Sequence, residues 1–210
     1  MPDILKEFFD NVVKKDIKGA KIKFKNESIF MKVMSVLLFF NKDFMSNYTT
    51  VIGNTVYFPS KEWLEKSKHK AVKILSHEYV HMVDRDTHTL FSVKYLFPQI
   101  LALGALLSFF SLWFLLFLIF AAPLPAPWRT YFEVRGYAMN MLFEQHLAPI
   151  GYNARTAAGR HAKRFTTAAY YFMAYRKDPV VDKLTKSFAT LPGKHRAFIG
   201  VVAWLKTQKL

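Results

Sequence analysis

Ile4, Leu5, Phe8, Phe9 and Val12 recur at helical spacing, so the pattern predicts an amphipathic helix over residues 3–15. Lys21-Ile-Lys-Phe-Lys alternates polar and apolar side chains and predicts a strand. Residues 29–40 are almost wholly apolar and run too long for an ordinary strand, which predicts a buried helix. Residues 49–58 form the clearest hairpin signal, two β-branched runs around Gly53-Asn54. Pro59 ends the second run, and Ser60 is placed to cap a short helix containing Trp63 and Leu64.

A long helix is predicted from 68 to 87, where Val72, Leu75, Tyr79 and Met82 share one face. Further helices are predicted over 128–146, 154–175, 180–189 and 196–206, with Pro192-Gly193 separating the last two. A small β element followed by helices gives an α+β class. The expected organisation is one domain over 1–149, with an apolar insertion at about 95–127, and a helical subdomain over 150–210.

No charged residue occurs between Lys94 and Arg129, and the run from Ile100 to Ala122 is apolar apart from Gly104, Ser108 and Ser111. It is long enough for one transmembrane helix of about 20 residues and too short for two complete spans. Pro123, Pro125 and Pro127 end it as a stiff connector.

Among 210 residues there are 30 Lys plus Arg, 15 Asp plus Glu, 21 Phe, 10 Tyr and no cysteine. The aromatic content excludes a disordered chain, and the missing cysteine excludes disulfides and thiolate-ligated metal. Two thirds of the net charge of +15 falls in residues 150–210, where Asp178 and Asp182 are the only acids. A basic surface of this kind suits nucleic acid or anionic lipid head groups. The opening residues include acids and lack an apolar run, which predicts no signal peptide and an intracellular location.

His77-Glu-Tyr-Val-His81 is an HExxH sequence within the 68–87 helix. Residues i and i+4 lie one turn apart on one face, so both imidazoles can bind one metal ion, and zinc suits such ligands. Glu78 stands beside the first ligand, where a carboxylate can take a proton from a water whose pKa the metal lowers towards about 7. A third protein ligand is required. His88 lies nearly two turns beyond His81, too far along the helix. Glu133 is the first acid after Asp86, in a predicted helix that Gly136 would allow to pack closely. Glu144 is the alternative.

With these residues the chain resembles a zincin metallopeptidase of the gluzincin type, in which the helix bearing both histidines precedes a helix supplying a glutamate ligand. The resemblance covers roughly residues 45–145. It implies a zincin-like fold, Zn2+ held by His77, His81 and Glu133, Glu78 as the catalytic base, and hydrolysis of a peptide or protein substrate. It also implies that an edge strand upstream, 49–52 or Thr55–Phe58, holds the substrate in extended form. Where many gluzincins carry aspartate four residues after the glutamate ligand, this chain has Tyr137. Asp84 is a candidate to orient an imidazole; Tyr131, Tyr137 and His146 are candidates to stabilise an oxyanion. His69, His161 and His195 sit among lysines and arginines and are expected at the surface.

The candidate ligands constrain the apolar run that separates them. A single span would part His81 from Glu133 by about 30 Å of hydrocarbon. A hairpin bending near Gly104 or at 108–111 returns to its starting side, and it would either enter one leaflet or be covered by protein. The expected partners through 95–127 are therefore membrane lipid or an apolar protein surface. The basic 150–210 region would meet anionic lipid or nucleic acid. A competing reading keeps the scaffold as a non-enzymatic structural or interaction protein, such as a viral or phage particle component. Glu78 argues for the enzyme, since a silent scaffold has no need of it.

Overall fold

The computed structural model describes residues 3–37, 43–167 and 172–208. The chain forms two compact units, Met1–Val83 with Arg196–Leu210, and Asp84–His195. The boundary falls inside one continuous helix, Lys68–Thr87. Broadly the class is α+β.

In the first unit, helix α1 begins as Asp3–Phe8, widens to a π-helical stretch over Phe9–Val13 and closes with Lys14–Asp16. Its apolar face buries Leu5, Phe8, Phe9, Val12 and Val13. Phe8 meets Trp204 edge-on, with ring centroids 4.9 Å apart. Strands β1 (Lys21–Phe24), β2 (Thr50–Ile52) and β3 (Thr55–Phe58) form a sheet ordered β1-β3-β2. β1 runs parallel to β3, and β2 antiparallel to it with Val51 opposite Val56. Gly53 takes a positive φ at the first central position of the two-residue turn, where a side chain would be strained. Val56 and Phe58 alternate into the core. Ser60 caps α3 (Lys61–Lys66), its Oγ accepting the Trp63 N–H at 3.2 Å.

Helix α2, Ile29–Leu37, forms as expected, but it is not buried. Met31 is covered, whereas Ile29, Phe30, Val33 and Val36 are all more than half exposed. Residues 38–40 of the expected helix lie outside the described residues. Helix α4, Lys68–Thr87, occupies the expected span and buries Val72, Leu75, Tyr79 and Met82. The Tyr79 hydroxyl donates to Asp16 Oδ2 at 2.6 Å, and Arg196 Nε at the start of helix α9 (Arg196–Leu205) donates to the same oxygen at 3.0 Å.

The second unit begins with α5 (Phe91–Leu96) and then the apolar run. That run is a hairpin of two 3-10 helices, Gln99–Phe109 and Leu112–Ala121. The bend falls at Phe110-Ser111. Gly104 instead marks where the legs touch: a Cβ there would lie 2.6 Å from Phe117 Cδ1. Among the described residues no helix is long and apolar enough to cross a membrane.

Pro127 opens helix α6 (Pro127–Leu147), a position where its missing N–H costs nothing. Helices α7 (Ala154–Phe165) and α8 (Lys177–Thr190) pack against it. The shared core joins Val134, Tyr137 and Met141 to Ala157, Ala162, Phe165, Val181 and Leu184. Burying a side chain such as Phe165 stabilises by about 1.5–3 kcal/mol. α7 ends ten residues short of the expected position: Thr166 and Thr167 turn their hydroxyls back to the Lys163 and Arg164 carbonyls. Residues 168–171 of the expected helix lie outside the described residues.

Candidate metal centre

His77 and His81 are both buried side chains of α4, each less than a tenth exposed. One turn of helix brings their rings to 4.9 Å and their Nε2 atoms to 3.1 Å. Two nitrogens bound to one tetrahedral zinc at about 2.0–2.1 Å stand about 3.3–3.4 Å apart. The pair is thus already spaced as two ligands of one ion; the distance also serves an N–H···N bond between imidazoles. With Glu133 they form a group whose candidate donor atoms all lie within 4.8 Å of one another.

Glu133 is buried on α6 and accepts a hydrogen bond at Oε1 from the Tyr95 hydroxyl. Tyr95 is itself held from the other side: Arg129 Nε donates to its carbonyl at 3.1 Å, and the guanidinium lies over its ring. Glu78 is half-buried on α4. Lys25, fully buried in the same unit, donates to the Phe44 carbonyl at 2.6 Å with its ammonium over the Phe44 ring. Burial lowers the Lys25 ammonium to about 8, and attraction to the Glu78 carboxylate acts in the opposite sense.

The other sequence candidates are placed elsewhere. Glu144 accepts from His161 at 3.1 Å and pairs with Arg160 at 3.3 Å, far down α6 from Glu133. Tyr137 packs in the second core, with Arg164 donating to its hydroxyl at 3.4 Å. His146 lies thirteen residues past Glu133, about 20 Å along the helix. His88 lies past the end of α4 with Nδ1 3.0 Å from the Asp84 carbonyl. The His69 side chain lies outside the described residues.

Asp84 is completely buried, and its Oδ1 pairs with Arg135 Nη2 at 2.7 Å and lies 3.0 Å from His195 Nε2. Arg135 also donates to the Tyr131 hydroxyl at 3.0 Å. His161 and His195, expected at the surface, are therefore interior groups with carboxylate partners. Sequence reading missed Tyr95, Arg135 and His195 as members of these networks. For His161 a signal existed, since it falls on the stripe Ala154, Ala157, Ala158, Ala162, Phe165. Tyr95 offered only a weak one, as the first residue past Lys94.

β3 is paired on both sides, so Thr55–Phe58 offers no edge to a peptide. Of the two strands expected to hold a substrate, β2 alone keeps one among the described residues. No family model, curated protein or solved structure matches the chain.

Proposed function

We propose that the chain is a zinc-dependent metallopeptidase of the zincin type, in which His77, His81 and Glu133 hold the metal and Glu78 is the general base. The grouping of two imidazoles and one carboxylate, all three buried, with donor atoms within 4.8 Å, carries this reading. Imidazole and carboxylate donors without thiolate suit zinc, and three protein ligands are the number a catalytic site uses. Zinc in such a site supplies Lewis acidity for attack on a carbonyl near neutral pH. Glu78 takes the proton of the attacking water on its carboxylate and delivers it to the leaving amine nitrogen. Tyr95 fixes one Glu133 oxygen by hydrogen bonding and so limits the orientations of that carboxylate. The peptide pairs with the outer edge of β2, where main-chain groups give affinity without demanding particular side chains.

Replacing Glu78 with Gln removes the base and leaves the three ligands intact. The expected result is unchanged zinc content with peptide hydrolysis reduced at least about 100-fold, measured on a mixed peptide library. Wild-type protein that binds zinc and cleaves nothing in the library would make the metal structural and reject the peptidase.

A further inference from the structure

The hairpin Gln99–Phe109 and Leu112–Ala121 has no buried residue on either leg. Away from the stripe where the legs touch, its apolar side chains are open: Leu103, Leu106, Phe109, Trp113, Leu116 and Ile119 are each more than half exposed. A segment that docks on a protein normally keeps one polar face for water. This one keeps none, and an apolar surface of such extent is not stable in water.

The ends of the hairpin differ sharply from its tip. Lys94 and Arg129 flank the base, with the Lys94 ammonium 5.4 Å from the centre of the Trp128 ring and the Arg129 guanidinium 5.3 Å from that of Tyr95. Trp128 and Tyr131 are about half exposed there, at 47% and 48%. Cations interleaved with Trp and Tyr are the composition of a membrane–water interface, where ring dipoles and phosphates are both satisfied. The tip, Phe109-Phe110-Ser111-Leu112-Trp113, has no charge. Backbone groups bond within each leg, as in Phe110 N–H to the Leu107 carbonyl and Phe114 N–H to the Ser111 carbonyl. Internal pairing is what a hydrocarbon medium demands.

Length selects the depth. Eleven 3-10 residues at about 2.0 Å each give about 22 Å. Half a bilayer, head groups included, measures about 20–22 Å.

We infer that the hairpin inserts into one leaflet of a lipid bilayer, its tip near the midplane and its base, with Lys94 and Arg129, among anionic head groups. The charge of the base and the uncharged tip favour lipid over a second protein. The inference is independent of the peptidase reading and is tested without any activity assay.

Protein is reconstituted into vesicles of phosphatidylcholine and phosphatidylglycerol at 3:1, with bromine carried either near the acyl-chain ends or near the head groups. The full chain is expected to co-sediment with the vesicles. Chain-end bromine should quench Trp113 fluorescence more than head-group bromine, and Trp113→Phe should abolish that difference. A Leu112→Asp/Leu116→Asp variant alters two exposed positions and so keeps its fold by circular dichroism; its vesicle binding should fall at least tenfold. Three results would each overturn the inference: no co-sedimentation of the wild type, stronger quenching of Trp113 from the head groups, or a double variant that binds vesicles as well as wild type. Stable dimerisation that Leu116→Asp abolishes, with no vesicle binding, would assign the surface to a second copy of the chain.

Discussion

The Tyr95 hydroxyl reaches Glu133 from the helix that leads into the apolar hairpin. A hydrogen bond of this kind orients a ligand and tunes its basicity, and its loss typically costs about 10–100-fold in metal affinity. Tyr95→Phe is therefore expected to weaken zinc binding by about that factor in a chelator competition, with thermal stability little changed. Lys25 gives a prediction in pH. Its ammonium is lowered by burial from 10.5 to about 8, so between those values the unfolded chain holds a proton that the folded chain has released. This contribution to stability is fully present above pH 10.5 and is lost as pH falls through about 8. The urea midpoint of the wild type should rise from pH 8 to 10 relative to that of Lys25→Met. Parallel curves for the two proteins would place the Lys25 ammonium at its ordinary value.

At the scale of elements, local patterning accounts for most of the fold. The α4 span followed from periodicity alone, because Val72, Leu75, Tyr79 and Met82 define one buried face and no Gly or Pro interrupts it. The hairpin turn followed from Gly53-Asn54 and the α3 start from Ser60, each a residue whose local chemistry dictates a conformation. Burial of α2 did not follow, since composition measures apolar content and not what stands opposite. The early end of α7 was hidden because Thr166 and Thr167 compete for helix carbonyls only once the chain can turn away. The bend of the apolar hairpin was narrowed to two places, and packing decided between them. Gly104 lies against the Phe117 ring, where a Cβ would approach to 2.6 Å. Gly104→Leu should therefore separate the legs, increasing protease cleavage within Gln99–Phe109 several-fold. Phe117→Ala in the same chain should reverse the effect by vacating the space. Equal cleavage of wild type and Gly104→Leu would show that the legs do not depend on this contact.

For the molecule as a whole, the distribution of charge along the sequence does not map onto the units. The basic stretch supplies α7 and α8 to the second unit and α9 to the first. Part of its charge is already matched internally, Arg155 by Asp182, Arg160 by Glu144 and Arg196 by Asp16, each within 3.3 Å. Long-range partnerships of this kind are invisible to periodicity. So is the burial of His195 on Asp84, separated by 111 positions. The candidate site was more legible, because His77, Glu78 and His81 share a helix turn whose geometry is fixed in advance. Glu133 was reached by elimination among the acids that follow, and its grouping with the two imidazoles rests on tertiary structure. The most direct test is the zinc content of purified, zinc-reconstituted protein, measured for wild type beside His81→Ala and Glu133→Gln. One zinc per wild-type chain is expected, with loss of that zinc in both variants and circular dichroism unchanged. Wild type without zinc, or Glu133→Gln retaining full occupancy, would overturn the three-ligand site.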